Sequence, residues 1–186
     1  HLFQLNSAGL PSDFPPLNTL DSDRHNLPLQ LTSFIGRERE IAEVKYLLSA
    51  TRLLTLIGPG GTGKTRLSVQ VAGELLDQYP DGTWFVELAP ISDPSLVSST
   101  VAAALNLPAE VHRPAIDMLC DYLRERELLI VLDNCEHLVG ACARMAERLL
   151  RAAPKLRILA SSREALGIAG EMSIAESLTS GFVETR

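Results

Sequence analysis

Apolar residues recur at helical spacing in five segments of the chain and form four short strand-like runs between them. The pattern predicts helices over 37–50, 65–79, 94–105, 114–127 and 138–153, and strands over 53–57, 83–88, 128–132 and 156–160. The run 128–132 is apolar at every position, which is typical of a strand covered on both faces. Strands that alternate with helices predict an α/β fold of three layers, with a mostly parallel sheet between helices.

The two ends of the chain differ from this patterned part in composition and lack its hydrophobic periodicity. Residues 1–30 contain Pro11, Pro15, Pro16 and Pro28 among Ser, Asn and Asp, which predicts an extended Pro-rich linker. Residues 171–186 are rich in polar and small residues, so we predict a poorly patterned tail. The predicted domain therefore spans 31–170.

Composition and charge exclude several classes of function. The 17 basic and 23 acidic residues give a net charge of −6, which argues against direct nucleic-acid binding by this segment. No apolar run reaches the roughly 18 to 20 residues of a membrane span, and residues 1–9 lack the pattern of a secretory signal. The three cysteines lack metal-type spacing and favour buried thiols in a reducing cytoplasm, where we expect the protein. Because the chain begins with His1, we expect a processed or trimmed chain, or a piece of a longer one.

The chemistry of the sequence is concentrated in a glycine-rich segment between the first predicted strand and the next helix. It reads Gly58-Pro59-Gly60-Gly61-Thr62-Gly63-Lys64-Thr65-Arg66 and matches the G-x-x-x-x-G-K-[ST] pattern of a P-loop. Glycines allow a tight curl whose amide groups point at phosphate oxygens, and the helix start adds its positive dipole end. Lys64 supplies a charge for the β- and γ-phosphates, and the Thr65 hydroxyl is a hard oxygen ligand for Mg²⁺. The expected ligand is a nucleoside triphosphate with Mg²⁺.

Asp133 follows the buried run 128–132 and is the second expected Mg²⁺ ligand, beside Thr65. The alternative is that Asp133 only caps the next helix. Glu136 lies one turn further and either orients an attacking water or is a solvated carboxylate at a helix start. Arg163, after the fourth strand, either senses the γ-phosphate or makes a surface salt bridge. Lys64, Asp133, Glu136 and Arg163 are thus the candidate catalytic residues.

Four stretches of the chain together resemble the P-loop ATPases of the STAND class. They are 32–38 (TSFIGRE), the run 56–65 that contains the P-loop, 132–138 (LDNCEHL) and 161–164 (SSRE). The chain looks most like the NB-ARC-like AAA module of bacterial LuxR-type and AfsR-type regulators and of cyclase fusions.

The resemblance implies an ATP/ADP-driven switch in signal transduction or transcriptional regulation. It places Ile35, Gly36 and Arg37 near the adenine or ribose, and Arg163 at a sensor position. It implies the ASCE-type strand order, in which the Arg163 strand lies between the P-loop strand and the Asp133 strand. Residues 1–5 and 13–17 resemble the end of a class III nucleotidyl cyclase domain and its linker, so we expect fusion to a cyclase, repeat or helix-turn-helix domain.

The chain departs from the family pattern at two points. Asn134 stands where many related ATPases have a second acidic residue, so we expect slow or no hydrolysis. The family's further subdomains should follow Gly170, and we expect a chain truncated after the sensor strand. The leading function is therefore the nucleotide-binding core of a regulatory ATPase. Alternatives are an inert fragment, or a small-molecule kinase, for which Asp81, Glu87 and Arg113 form no clear constellation.

Overall fold

The structure is a computed structural model that describes residues 24–29, 36–175 and, for the backbone alone, 183–185. Its α-helices are α1 (Glu38–Ala50), α2 (Lys64–Glu74), α3 (Val97–Ala104), α4 (Ala115–Leu123) and α5 (Val139–Ala152). Its strands are β1 (Leu53–Ile57), β2 (Thr83–Glu87), β3 (Leu129–Asp133), β4 (Arg157–Ser162), β5 (Glu171–Ala175) and β6 (Val183–Thr185). No helix in the described ranges is long and apolar enough to cross a membrane.

The strands form one sheet in the order β2-β3-β4-β1-β5-β6. Every neighbouring pair is parallel except β5 with β6. Strand β4, which ends just before Arg163, lies between the P-loop strand β1 and the Asp133 strand β3. The predicted strand order and the predicted α/β fold are therefore confirmed. In a parallel sheet of this kind, the carboxyl ends of neighbouring strands meet at one edge and form the ligand crevice.

Helices cover both faces of the sheet, which makes three layers. Helices α1 and α2 pack on one face, and α3, α4 and α5 pack on the other. The interior strand β3 divides its apolar residues between them, since Leu129 and Val131 face the α2 side while Ile130 and Leu132 face the α5 side. Each such fully buried side chain contributes roughly 2 kcal/mol, so β3 is a rigid base for the residues that follow it.

Two predicted helices end earlier than the sequence pattern indicates. The helix predicted over 65–79 stops at Glu74 and continues as a 3-10 turn, Leu76–Gln78. The helix predicted over 114–127 stops at Leu123, because the Asp81 carboxylate accepts hydrogen bonds from the Glu127 amide (2.8 Å) and the Arg126 guanidinium (3.0 Å). An acceptor 46 residues away thus takes the amide that a longer helix would have used.

A strand lies in the segment that we predicted to be a poorly patterned tail. Strand β5 pairs in parallel with β1, from Leu53 opposite Glu171 to Ile57 opposite Ala175. Only Ile174 gives it a fully buried apolar side chain, so hydrophobic alternation is weak. Main-chain pairing with a distant strand, rather than the local pattern, defines this element.

The buried carboxylate of Glu171 fastens the loop that precedes β5. It accepts hydrogen bonds from the amides of Leu166 (2.8 Å), Gly167 (2.6 Å) and Ile168 (3.3 Å). We expect Glu171→Gln to lower the free energy of unfolding by about 2 kcal/mol, because the new amide group faces amide donors in a buried position. Denaturant unfolding, with the exposed Glu125→Gln as control, measures this. A loss below about 0.5 kcal/mol, as at an ordinary surface site, would contradict it.

Residues 24–27 lie along the free edge of β2, and we call them the edge strap. The Thr83 amide donates to the Arg24 carbonyl (3.0 Å), and the Asn26 side chain both donates to the Phe85 carbonyl (2.8 Å) and accepts from the Phe85 amide (2.6 Å). The Asn26 amide group thus replaces the peptide of a neighbouring strand. The predicted linker 1–30 includes these sheet-bound residues, which the Pro-rich texture did not indicate.

Candidate functional site

The P-loop connects the carboxyl end of β1 to the first turn of α2, as its sequence predicts. Gly58 is buried, and its amide donates to the Ser162 carbonyl at the end of β4 (3.2 Å). Gly61 and Gly63 have φ angles of +82° and +94°, which L side chains rarely adopt. The Thr62 hydroxyl donates to the Pro59 carbonyl (3.1 Å) and braces the curl from within.

Lys64 is the first residue of α2 and is only 8% exposed. Its ammonium group donates to the carbonyls of Gly58 (2.8 Å) and Pro59 (2.9 Å). Within the part of the chain that the structure describes, these main-chain oxygens are its acceptors and no carboxylate pairs with it, so the loop holds a nearly buried positive charge. Such a charge favours an anionic ligand in the same loop.

Thr65 and Asp133 meet at the carboxyl edge of the sheet. The Thr65 hydroxyl lies 2.9 Å from both carboxylate oxygens of Asp133. Asp133 is buried at the end of β3. The helix-capping alternative for Asp133 finds no support, because no amide of the next turn is among its hydrogen-bond donors.

Ser161 joins this pair, and the sequence reasoning missed it. The Ser161 hydroxyl donates to Asp133 and accepts from the Asn134 amide (3.0 Å). Asn134 has a left-handed conformation with φ +64°, which turns the chain sharply after the strand. The parallel pairing of β3 with β4, with Leu132 opposite Ala160, places Ser161 near the end of β4 next to Asp133 at the end of β3.

Glu136 and Arg163 form an ion pair, with 3.2 Å between Arg163 Nε and Glu136 Oε1. The Glu136 side chain is 16% exposed and that of Arg163 is 67% exposed. The interpretation of Glu136 as a solvated carboxylate is therefore wrong, because the strand-helix turn buries it. Arg163 does make a salt bridge, but with a residue of the candidate site rather than with a remote surface group.

The remaining predicted residues lie around the loop at varied distances. Arg37 contacts it directly, since Nη2 donates to the Thr62 carbonyl (2.8 Å) and Nε lies 3.9 Å from Glu40. Gly36 is exposed just before α1, and Arg66 is exposed on the first turn of α2. Ile35 lies outside the described residues. The structure thus brings Arg37 to the P-loop and leaves Ile35 untested.

The three cysteines are free thiols that pack in the interior or partly in it. Cys135 and Cys142 are buried, and Cys120 is half-buried. A hydrogen bond with the Cys142 thiol, together with burial, holds the pKa of Cys135 well above its ordinary value, so this thiol stays neutral. Within the described ranges, no group of three or more His, Cys, Asp or Glu residues is arranged to hold a metal ion.

The three residues considered for a kinase site lie in different parts of the domain and have different partners. Asp81 precedes β2 and binds Arg126, at the edge of the sheet opposite the P-loop. Glu87 ends β2 opposite Asp133, and Arg113 pairs with Asp121. The structure does not bring the three together.

The fold and the loop define a P-loop NTPase domain. Residues 47–168 match the family described as AAA domain, and the chain belongs to this family. Solved structures agree on the fold: the chain aligns over 75% of its length with Cdc6p from Pyrobaculum aerophilum at a TM-score of 0.53 and 20% identity. It aligns over 72% with the ORC2 protein of Aeropyrum pernix at a TM-score of 0.52 and 17% identity. These cover 41% and 42% of those chains.

Curated relatives include regulators. The chain is 43% identical over 152 residues to an uncharacterized protein of Mycobacterium tuberculosis, covering 82% of this chain and 39% of the relative. It is 47% identical over 130 residues to a M. tuberculosis protein named for an HTH-type transcriptional regulator, covering 70% and 14%. It is 30% identical to the regulatory protein AfsR of Streptomyces coelicolor, covering 65% and 16%.

This chain is therefore an AAA-type P-loop domain related to bacterial regulators, and it spans less than half the length of these relatives. The resemblance to AfsR-type regulators is confirmed. Membership of the STAND class and of its NB-ARC branch stays a prediction.

Proposed function

We propose that this domain binds ATP or ADP with Mg²⁺ as the nucleotide-binding core of a regulatory protein. The observation that carries the proposal is the convergence of three groups at one edge of the sheet. Lys64 is nearly buried within the loop, and the Thr65 hydroxyl lies 2.9 Å from both oxygens of Asp133. A confined cation beside a hydroxyl-carboxylate pair is the chemistry that a metal-bound polyphosphate requires.

The donor set fits Mg²⁺. Thr65, Asp133 and the adjoining Ser161 present only hard oxygens, and Mg²⁺ binds proteins through one or two carboxylates while keeping several waters. Thr65 and Asp133 would hold the ion, and Ser161 would hold the Asp133 carboxylate in place. When bound, Mg²⁺ supplies charge neutralisation between phosphate oxygens.

The phosphate contacts would come from the main chain of the loop and from Lys64. Gly60 to Thr65 would direct amides at the phosphates, and the start of α2 adds its dipole. Arg37 already contacts the loop through the Thr62 carbonyl, which supports its expected place, with Gly36 and Ile35, on the base or ribose side. The positive end of Arg163 would face the γ-phosphate.

Hydrolysis by this domain is expected to be slow or absent. Asn134 carries an amide, which cannot accept a proton as a general base does. Its own main-chain amide is bound to Ser161, so the residue is fixed by the turn. Glu136 Oε1 is paired with Arg163, and we expect this ion pair to disfavour a role for Glu136 as the general base.

The whole protein that contains such a domain would be a regulator. The HTH-type relative and AfsR support this, and so does the short share of their lengths that the chain spans. We expect a helix-turn-helix, repeat or cyclase partner domain in the same polypeptide and a cytoplasmic location. DNA binding would belong to such a partner domain, since this segment carries a net charge of −6.

Thermal unfolding tests the proposal. With Mg-ADP at about 100 times its Kd, mass action should raise the Tm by about 5 to 10 °C. Asp133→Asn removes one charged metal ligand, so we expect the extra shift that Mg²⁺ adds to ADP alone to disappear. Differential scanning calorimetry with and without EDTA measures both shifts.

Asp77→Asn is the matched control, because Asp77 is exposed in the 3-10 turn after α2, at the far end of that helix from the loop. It should keep the full Mg²⁺-dependent shift. A wild-type chain whose Tm does not respond to Mg-ADP would refute the proposal and favour an inert domain. Consumption of ATP only when a small acceptor is added would favour a kinase instead.

A further inference from the structure

The Arg163 guanidinium lies between a carboxylate and the P-loop. Its Nε contacts Glu136 Oε1 at 3.2 Å. On its other side, Nη2 lies 3.7 Å from the position that a Cβ atom on Gly60 would take. The planar guanidinium of Arg163 therefore faces Glu136 with one edge and the middle of the P-loop with another.

The Glu136 side chain is fixed by its surroundings, whereas the Arg163 side chain is largely exposed and can adopt more rotamers. Glu136 sits in the turn Cys135–His137, which is anchored by the buried Cys135 and by the hydrogen bond between His137 Nε2 and the Ile91 carbonyl (2.7 Å). Its Oε2 is buried and, within the part of the chain that the structure describes, has no hydrogen-bond partner. Arg163 is 67% exposed, and a long exposed side chain of this type loses rotamer entropy when it becomes ordered.

We propose that Glu136 is a positioning residue that holds Arg163 toward the loop and thereby sets a preference for nucleoside triphosphate over diphosphate. The inference rests on the proposed nucleotide binding and deepens it. Because Glu136 occupies the Nε edge, the outer nitrogens of the guanidinium are left to face an anion at Gly60. Part of the ordering cost of Arg163 is then met before the ligand arrives, which strengthens a contact that only the γ-phosphate makes.

Removal of the Glu136 carboxylate should change the affinity for triphosphate in the direction opposite to that expected from charge repulsion alone. Removing a carboxylate near a polyphosphate lessens repulsion, and by Coulomb's law alone this should strengthen binding of the more highly charged ligand. If Glu136 acts by orienting Arg163, its removal should instead weaken binding of the triphosphate. If Glu136 served only the stability of the fold, its removal would change the affinities for triphosphate and diphosphate equally.

Isothermal titration calorimetry of the chain with Mg-AMPPNP, a non-hydrolysable triphosphate analogue, and with Mg-ADP tests this. We expect Glu136→Ala to weaken AMPPNP binding by about three- to tenfold while ADP binding changes by less than about twofold. Glu136→Gln should fall between Glu136→Ala and wild type, because its amide oxygen still accepts from Nε. Arg163→Gln should weaken AMPPNP at least as much, and adding Glu136→Ala to it should have no further effect.

Glu164→Ala is the matched control: it removes the same charge from the neighbour of Arg163, and its carboxylate is exposed. It should leave AMPPNP binding unchanged or slightly stronger. Stronger AMPPNP binding by Glu136→Ala, equal losses for both nucleotides, or a full effect of Glu136→Ala without Arg163 would each overturn the proposal. Failure of the wild-type chain to bind either nucleotide would instead refute the proposed function itself.

Discussion

Lys64→Ala is expected to weaken binding of both ATP and ADP by about 100-fold or more. The Lys64 ammonium group is nearly buried and, among the described residues, is bound only to the neutral carbonyls of Gly58 and Pro59, so its charge is available to phosphate oxygens. Each charge-assisted hydrogen bond to phosphate contributes roughly 1.5 to 3 kcal/mol. Two such contacts account for the expected loss, which titration with a fluorescent nucleotide measures.

The same substitution should leave the fold intact. No carboxylate of the described ranges pairs with Lys64, so removing its ammonium group relieves the cost of burying an uncompensated charge, which offsets the two hydrogen bonds that are lost. The Tm without nucleotide should therefore move by only a few degrees. Lys155→Ala, at an exposed lysine after α5, is the control and should bind as wild type. Unchanged nucleotide affinity in Lys64→Ala, with the fold retained, would remove the basis of the phosphate assignment.

Gly82→Ala is expected to cost about 3 to 5 kcal/mol of stability, the largest structural effect of a single methyl group that we predict. Gly82 has a φ of +98°, and a Cβ atom there would lie 1.9 Å from the Arg24 carbonyl oxygen. The strap would have to leave β2, with loss of the Thr83–Arg24 hydrogen bond and both Asn26 contacts with Phe85. Denaturant unfolding measures the loss.

Gly73→Ala is the matched control, because a Cβ on this glycine of α2 meets nothing within 4 Å and its φ is ordinary. Alanine there should stabilise the chain by about 0.5 to 1 kcal/mol. Asn26→Ala separates the strap from backbone strain, since it removes only the two contacts with Phe85. If Gly82→Ala unfolded at the same denaturant concentration as wild type, the strap could not be bound as described.

The sequence predicted those parts of the molecule whose cause is local. Helix α2 follows from the P-loop at its start, and β3 from five consecutive apolar residues. The proximity of Thr65 and Asp133 was also predictable, because Asp133 ends a buried strand, Thr65 lies in the first turn of the helix after the P-loop, and parallel strands end at one edge. The match was strongest where one short segment contains both the pattern and its reason.

What the sequence did not reveal depends on contacts between distant segments. Ser161 acquires its role only through the pairing of β3 with β4, and β5 only through its pairing with β1. Asp81 sets the end of α4, and Arg163 forms the ion pair with the Glu136 carboxylate. None of these partners lies within one helical turn of the residue it affects, so no periodicity in the sequence reports them.

The edge strap also bears on how the domain behaves in solution. A sheet whose last strand has unpaired amides and carbonyls recruits strands from other molecules, and β2 would present such a row without residues 24–27. A recombinant fragment that starts at Leu31 should therefore self-associate, whereas one that retains Arg24 to Leu29 should elute as a single species. We therefore expect the four residues of the edge strap, which the sequence pattern assigns to a linker, to protect the domain from aggregation.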